Sequence, residues 1–227
     1  MTHIEQRIIS SFDGSDSVYS KKYNSNYHSI HGAIEESTHV FISAGLYYHY
    51  LKHKKQISIF EMGFGTGLNA LLTLLEANRF DLKIDYQCVE CDPISEDMAR
   101  ALNYCEQLKL NDIDTEAFIN FHTSSWHTPL LINDNFKFTK FRTELENFSF
   151  ESKYDIIYFD AFDPNCQPDL WSLYIHRQLF NTLYSKGTLV TYCSQGAFRR
   201  SLKEIGYSIE ILNGPSKKRE MIRAVKK

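Results

Sequence analysis

Short apolar runs alternate with helical patterns along most of the chain. "ISIFEM" (57–62), "KIDYQCVE" (83–90), "YDIIYFDAF" (154–162) and "GTLVTYC" (187–193) are β-rich segments of strand length. "FKFTKFRTEL" (136–145) alternates Phe136, Phe138 and Phe141 with polar residues, a strand pattern with one irregularity. "GLNALLTLLEANRF" (67–80) sets Leu68, Leu71, Leu72 and Leu75 at helical spacing. "PISEDMARALNYCEQL" (93–108) opens with proline and an acidic first turn, both helix-start signals. "PDLWSLYIHRQLFNTL" (168–183) is helical, and "QGAFRRSLKEIG" (195–206) is a helix stopped by Gly206. "YSIEIL" and "KREMIRAVKK" follow as two strands joined by the turn-rich "NGPSK".

This order predicts an α/β fold, a mostly parallel sheet with helices on both faces. The last two strands have no helix between them, so one of them runs antiparallel. Residues 1–56 precede the core at 57–227 as an arm: a hairpin in "RIISSFDGSDSVYS", then a helix in "GAIEESTHVFISAGLYYHYLK". The connection from Asn103 to Asn135, with "FHTSSW", is longer than the others, and such connections often serve as lids or substrate walls.

Composition changes this picture little. With 43% hydrophobic and 14% aromatic residues in 227, the chain can bury a sizeable core. It has no apolar run of membrane-spanning length and no signal-peptide pattern at its start, which leads us to expect a cytoplasmic protein and no membrane partner. Cys88 and Cys91 form a C-x-x-C, but no second pair at similar spacing completes a zinc site. Buried or semi-buried thiols are the better reading, and His28, His31 and His39 lack metal-ligand spacing, so no metal is expected. Net charge is only −3, yet residues 199–227 carry nine Lys/Arg against three Glu, a local +6 that leaves −9 elsewhere. A basic face for a polyanion and an ordinary charged surface are equally compatible with that segregation.

The chemistry centres on "FEMGFGTGLN". A strand, then Gly63, Gly65 and Gly67, then a helix lets a ligand approach backbone N–H groups closely. The third glycine comes one position early for a dinucleotide fingerprint. A tight strand–helix turn would need the same glycines. The acids favour a ligand: Glu61, Glu90 and Asp160 each end a predicted strand, where parallel sheets bind ligands. Glu90 is placed to accept both hydroxyl protons of a ribose. Three carboxylates repel a pyrophosphate and suit S-adenosylmethionine, a nucleoside carrying a sulfonium and an ammonium.

"FEMGFGTGLNALL" resembles the first motif of the class I S-adenosylmethionine-dependent methyltransferases. More narrowly, four stretches are similar to the methyltransferase half of the MnmC family of tRNA 5-methylaminomethyl-2-thiouridine biosynthesis enzymes, or its stand-alone MnmD-like form. They are "DGSDSVYSKKYNSNYHSIHGAIEESTHVFISAGL", "FEMGFGTGLN", "YDIIYFDAFDPNCQPDLW" and "TYCSQGAFRRSLKEIGYSIEILNGPSKKREMIRA". The resemblance implies a Rossmann-like, seven-stranded sheet with one antiparallel strand. It also implies methyl transfer to the primary amine of 5-aminomethyl-2-thiouridine at the tRNA wobble position. The bifunctional enzymes carry a flavin-dependent oxidase domain that exposes this amine. A chain of 227 residues has no room for it, so a separate oxidase partner is expected.

Residue by residue, the resemblance puts Gly63, Gly65 and Gly67 along the methionine and ribose, with Asn69 also at the cofactor. Glu61 falls below the ammonium, Glu90 on the ribose hydroxyls and Glu144 near the adenine amine. Many relatives have a Gly-Asp pair where this chain has Thr143-Glu144. Asp160 takes the target-amine position, orienting the amine and helping its proton leave. Phe162 and Pro164 are candidates to pack on the uracil, since flipped bases are commonly held by stacking. For Phe162 and Trp171 the alternative is core packing, favoured for Trp171. Tyr27 and His28 are candidates for a pocket wall or a tRNA contact. Arg199, Arg200, Lys217, Lys218 and Arg219 would meet the phosphates of an anticodon stem-loop. Two other functions remain open at this point, methylation of a small-molecule amine and non-catalytic nucleoside binding.

Overall fold

The computed structural model describes residues 6–52, 54–215 and 218–227. The arm hairpin forms as expected: β1 (Gln6–Ser10) pairs antiparallel with β2 (Asp16–Ser20), and β3 (Ser25–Asn26) adds to β2. The predicted arm helix is a composite. α1 (Ala33–Ser37) runs into a π-helical stretch, Thr38–Leu46, and then α2 (Tyr47–Tyr50). Val40, Phe41, Ile42, Ala44 and Leu46 are all buried there, so the helix works as a core element rather than an amphipathic cover. A Cβ on Gly45 would sit 3.1 Å from Tyr158 and 3.2 Å from Val190, so glycine lets this helix lie close against the sheet.

The core follows in chain order: β4 (Gln56–Met62), α3 (Leu68–Phe80), β5 (Lys83–Glu90), α4 (Glu96–Ala101), α5 (Tyr104–Gln107) and α6 (Asp112–Thr123). Then come β6 (Leu130–Asn133), β7 (Phe136–Arg142), β8 (Tyr154–Phe159), α7 (Leu173–Thr182) and β9 (Leu183–Thr191). α8 (Gly196–Ile205), β10 (Tyr207–Asn213) and β11 (Glu220–Lys226) complete it. The sheet runs β10-β11-β9-β8-β4-β5-β7-β6. β4, β5, β7, β8 and β9 are mutually parallel, and β11 is antiparallel to both its neighbours.

Seven of these strands match the expected set, and β6 is an eighth, antiparallel to β7 across a bulge at Leu131/Asn133. Its four residues, "LLIN", alternate half-buried and exposed, so their pairing depends on β7 being beside them. The connection from Asn103 to Asn135 is therefore mostly built into the fold, as α5, α6 and β6, rather than being an open lid. The helix expected across 93–108 also divides. Ser95 caps α4 by accepting the Met98 N–H, but at Asn103 the chain turns out to bond the arm. Asn103 accepts the Asp16 N–H at 2.9 Å and donates its own N–H to the Asp16 carboxylate at 3.1 Å.

Side chains alternate between two cores, one per face. Tyr86, Phe118, Phe138 and Tyr158 lie with α3 and the arm helix; Phe60, Ile157, Phe159, Leu179 and Leu202 lie with α7 and α8. Strand order reverses between β4 and β8, which opens a crevice at their carboxyl ends.

Candidate active site

β4 delivers Met62 to that crevice, with Glu61 buried just behind it, and the chain then turns through Gly63, Gly65 and Gly67 at φ +88°, +52° and +74°. This backbone region is costly for side-chain-bearing residues, and space excludes them too. A Cβ on Gly63 would lie 2.6 Å from the Asp160 carbonyl oxygen, and one on Gly67 2.8 Å from His122 Nε2. At Gly65 the Tyr27 ring approaches to 2.8 Å of the same hypothetical atom, so the arm closes over the loop.

The three acids converge. Asn69, in the first turn of α3, donates through one Nδ2 to Glu61 Oε1 and to Asp160 Oδ2, each at 2.9 Å. Glu61 is fully buried, and its Oε2 has no partner among the described residues. An unpaired carboxylate oxygen at a glycine cradle suits a cationic donor group. Burial pushes the Glu61 carboxyl well above its usual range, the Asp160 and Glu90 charges adding to the effect. Glu90 accepts N–H bonds from Gly65 at 2.9 Å and Asp92 at 2.7 Å. Burial raises it as well, against the opposing pull of those amides. For Asp160, desolvation and then repulsion from Glu36 push the carboxyl up to about 7. At neutral pH that group is near half-ionised, the condition for exchanging a proton.

Beside Glu90 and Asp160 lies a cavity of about 250 Å³, whose walls include Tyr23, Tyr27, His28, Glu144 and Phe162; Glu61 is buried behind them and does not line it. Glu144 is exposed at the rim and accepts an Asn147 amide hydrogen bond at 3.1 Å. Phe162 stacks on Tyr23, ring centres 4.6 Å apart, and meets the edge of Tyr27 at 5.1 Å. One face of Phe162 is thus covered by an arm tyrosine, which leaves less of the ring for a base. Pro164 does not line the cavity. Trp171 packs on Phe159 and Phe198 and donates to the Phe162 carbonyl at 2.9 Å, a structural role. His28 is buried beside Ser17, and desolvation lowers its imidazole to about 4, leaving it neutral.

Sequence reasoning passed over Tyr23, Glu36 and His122. Their roles come from tertiary contact alone, and no local pattern marks them. The basic residues divide. Arg199 pairs with Glu220 at 3.1 Å and Lys218 with Glu36 at 2.5 Å. Arg200 and Arg219 are exposed and enter no ion pair among the described residues, whereas Lys217 lies outside those residues. The five cysteines are free thiols, Cys88 buried in β5 and Cys91 beyond its end. Among the described residues no His/Cys/Asp/Glu group could hold a metal, and no helix is long and apolar enough to cross a membrane.

Known proteins are similar to this chain in sequence and in fold. The chain is 30% identical over 220 residues to the tRNA 5-methylaminomethyl-2-thiouridine biosynthesis bifunctional protein MnmC of Burkholderia thailandensis, covering 90% of this chain and 33% of that protein. The MnmC protein of Ralstonia nicotianae is 30% identical over 218 residues, with 89% and 32% covered. The chain thus spans about a third of the length of these curated relatives, the methyltransferase part. In fold it is similar to MnmC2 from Aquifex aeolicus, with TM-score 0.79, 23% identity, and 98% and 70% of the two chains covered. Spermidine synthase from Thermotoga maritima is more distant, with TM-score 0.61, 13% identity, and 100% and 72% covered. A family model described as S-adenosyl-L-methionine-dependent methyltransferase matches residues 113–227, more than half of the chain. With a glycine cradle and buried acids that suit this cofactor, the chain belongs to the S-adenosyl-L-methionine-dependent methyltransferase family, with a class I fold.

Proposed function

We propose that the protein N-methylates a primary amine of tRNA, the aminomethyl group of 5-aminomethyl-2-thiouridine at the wobble position. The observation that carries this reading is Asp160: a carboxyl poised near neutrality, fixed by Asn69, between the glycine cradle and the aromatic cluster of Phe162. The names of the MnmC relatives supply the substrate.

S-Adenosylmethionine, when bound, supplies an electrophilic methyl on a sulfonium. Glu61, buried behind the glycine cradle, would attract the cofactor's ammonium by its charge. Glu90 keeps lone pairs beside its two amide bonds to accept ribose hydroxyls. An alkyl amine, with a pKa of about 10 by analogy with lysine, arrives mostly protonated and cannot attack in that form. Asp160 accepts a hydrogen bond from the amine, aims its lone pair and takes up the departing proton. A nearby cationic cofactor favours the ionised form of Asp160, preparing it for that task. Tyr27, His28 and Phe162 wall the acceptor side, and Arg200 and Arg219 would meet phosphates of the anticodon stem-loop. A separate oxidase would supply the aminomethyl substrate.

Nucleoside mass spectrometry of tRNA carrying the unmethylated aminomethyl nucleoside, before and after incubation with protein and cofactor, tests this. One added methyl on that nucleoside is expected. Unchanged tRNA alongside a methylated free amine would transfer the reading to small-molecule amines.

A further inference from the structure

Close enough to Asp160 for its charges to act on that carboxyl, and behind the cavity wall rather than in it, is an ion pair that the chemistry above does not use. Glu36 on α1 is only 7% exposed, and Lys218, in the turn before β11, brings Nζ within 2.5 Å of its Oε1. The same Nζ lies 4.0 Å from the centre of the Tyr192 ring. The second Glu36 oxygen accepts the Ser29 N–H at 2.8 Å, which fixes the carboxylate. Tyr192 donates its hydroxyl to the carbonyl of Ala161, the residue after Asp160, at 2.8 Å. A primary ammonium is therefore held between a buried carboxylate and an aromatic face, adjacent to the amine-facing carboxyl. That description fits Lys218, and it also fits a protonated aminomethyl group.

We propose that Glu36 and Tyr192 form the ammonium-recognition site for the acceptor, and that Lys218 is an internal occupant which the acceptor displaces. This rests on the reading of Asp160 as the amine-facing carboxyl. Two physical points support it. Breaking a buried pair is costly when it leaves a bare charge, but exchanging one ammonium for another keeps Glu36 compensated. Lys218 also comes from a turn and its side chain is 38% exposed, so it can swing outward without disturbing the sheet. The exchange confers selectivity: a neutral hydroxymethyl group cannot compensate Glu36, and an acidic substituent is repelled by it. The cation docks at Glu36 and Tyr192, and Asp160 then takes its proton before the nitrogen attacks.

The test uses benzylamine as a small ammonium probe, titrated into the full chain saturated with S-adenosylhomocysteine. Lys218→Met should bind the probe about tenfold more tightly than the unsubstituted protein. Lys218→Gln, which keeps a hydrogen bond to Glu36 without the charge, should shift the same way. Adding Glu36→Gln to either should remove the gain, while affinity for S-adenosylhomocysteine stays within about twofold throughout. Equal probe affinity with and without Lys218 overturns the proposal and leaves the pair as a staple between arm and turn. With aminomethyl tRNA, Glu36→Gln should raise KM about tenfold with a smaller change in kcat. If the unsubstituted protein leaves tRNA unmethylated but the benzylamine series behaves as stated, the tRNA reading falls and the cation site stands. If Glu36→Gln methylates tRNA with an unchanged KM, the cation site falls and the tRNA reading stands.

Discussion

Asp160 is the residue on which stability and the proposed chemistry conflict. Its carboxyl, raised to about 7 in the fold, has an ordinary pKa of about 3.9 when the chain is unfolded. Between those values the folded state holds a proton that the unfolded state has lost. Stability from this group is thus fully present below about pH 4 and lost as pH rises to about 7. Asp160→Asn removes the penalty and keeps an oxygen to accept the Asn69 hydrogen bond. The variant should melt several degrees above the parent at pH 8, with the gap narrowing as pH falls through about 7 and closing near pH 4; a gap that does not depend on pH would mean the carboxyl is not shifted. The same variant should bind S-adenosylmethionine but lose most turnover, and unimpaired turnover would remove Asp160 from the mechanism. Cofactor affinity should increase more steeply between pH 6 and 8 in the parent than in Asp160→Asn, because the sulfonium favours the ionised carboxyl. At this scale Glu61, Glu90 and Asp160 were legible because each ends an apolar run and parallel strands end on one side. Glu36 and Tyr23 were not, because they reach the site from the arm and their partners lie far away in sequence.

Among the elements, the strand–loop–helix unit of β4, Gly63–Gly67 and α3 was legible almost to the residue, since its signals are local. The eighth strand escaped because four residues of mixed exposure carry no period without β7 beside them. The π-helical stretch escaped too, since an all-round apolar helix gives no sign that its hydrogen bonds have widened by one residue. The glycine loop offers an internally controlled prediction. Gly63 and Gly14 have nearly the same φ, +88° and +85°. A Cβ at Gly63 would strike backbone oxygen at 2.6 Å, whereas at Gly14 it would meet only the Gln107 side chain at 3.6 Å. Gly14→Ala should therefore cost only the left-handed strain, about 1–2 kcal/mol in chemical denaturation, with cofactor affinity unchanged. Gly63→Ala adds a collision between two fixed backbones, one of which carries Asp160, and should weaken S-adenosylmethionine binding at least tenfold. Equal effects of the two substitutions would show that backbone strain, not the packing of loop against Asp160, sets the glycine requirement.

Across the whole molecule, the +6 of residues 199–227 does not say which of its cations a polyanion would meet. Arg199, Lys218 and Arg223 are engaged by Glu220, Glu36 and Glu210. The Glu210 and Glu220 pairs are already counted in the +6, and only the Lys218–Glu36 pair lowers it, to +5; which side chains are engaged is what no count of residues could disclose. The exposed Arg200 and Arg219 still share an end of the sheet. β9 and β10 run in the same direction, so the start of α8 and the turn after β10 both emerge at the carboxyl ends, beside Asp160. A nucleic acid delivering one nucleotide to that crevice would lay its backbone across these two guanidiniums. Each phosphate contact releases counterions and makes binding salt-dependent, by about 0.7 log units per tenfold change in salt for a single strand. Arg200→Ala with Arg219→Ala should therefore raise the tRNA KM and flatten the plot of log kcat/KM against log salt by roughly 1–2. Arg199→Ala, whose charge is already paired, should change the slope much less, and none of the three should alter cofactor affinity. Identical slopes for the double variant and the parent would place the tRNA backbone elsewhere on the molecule.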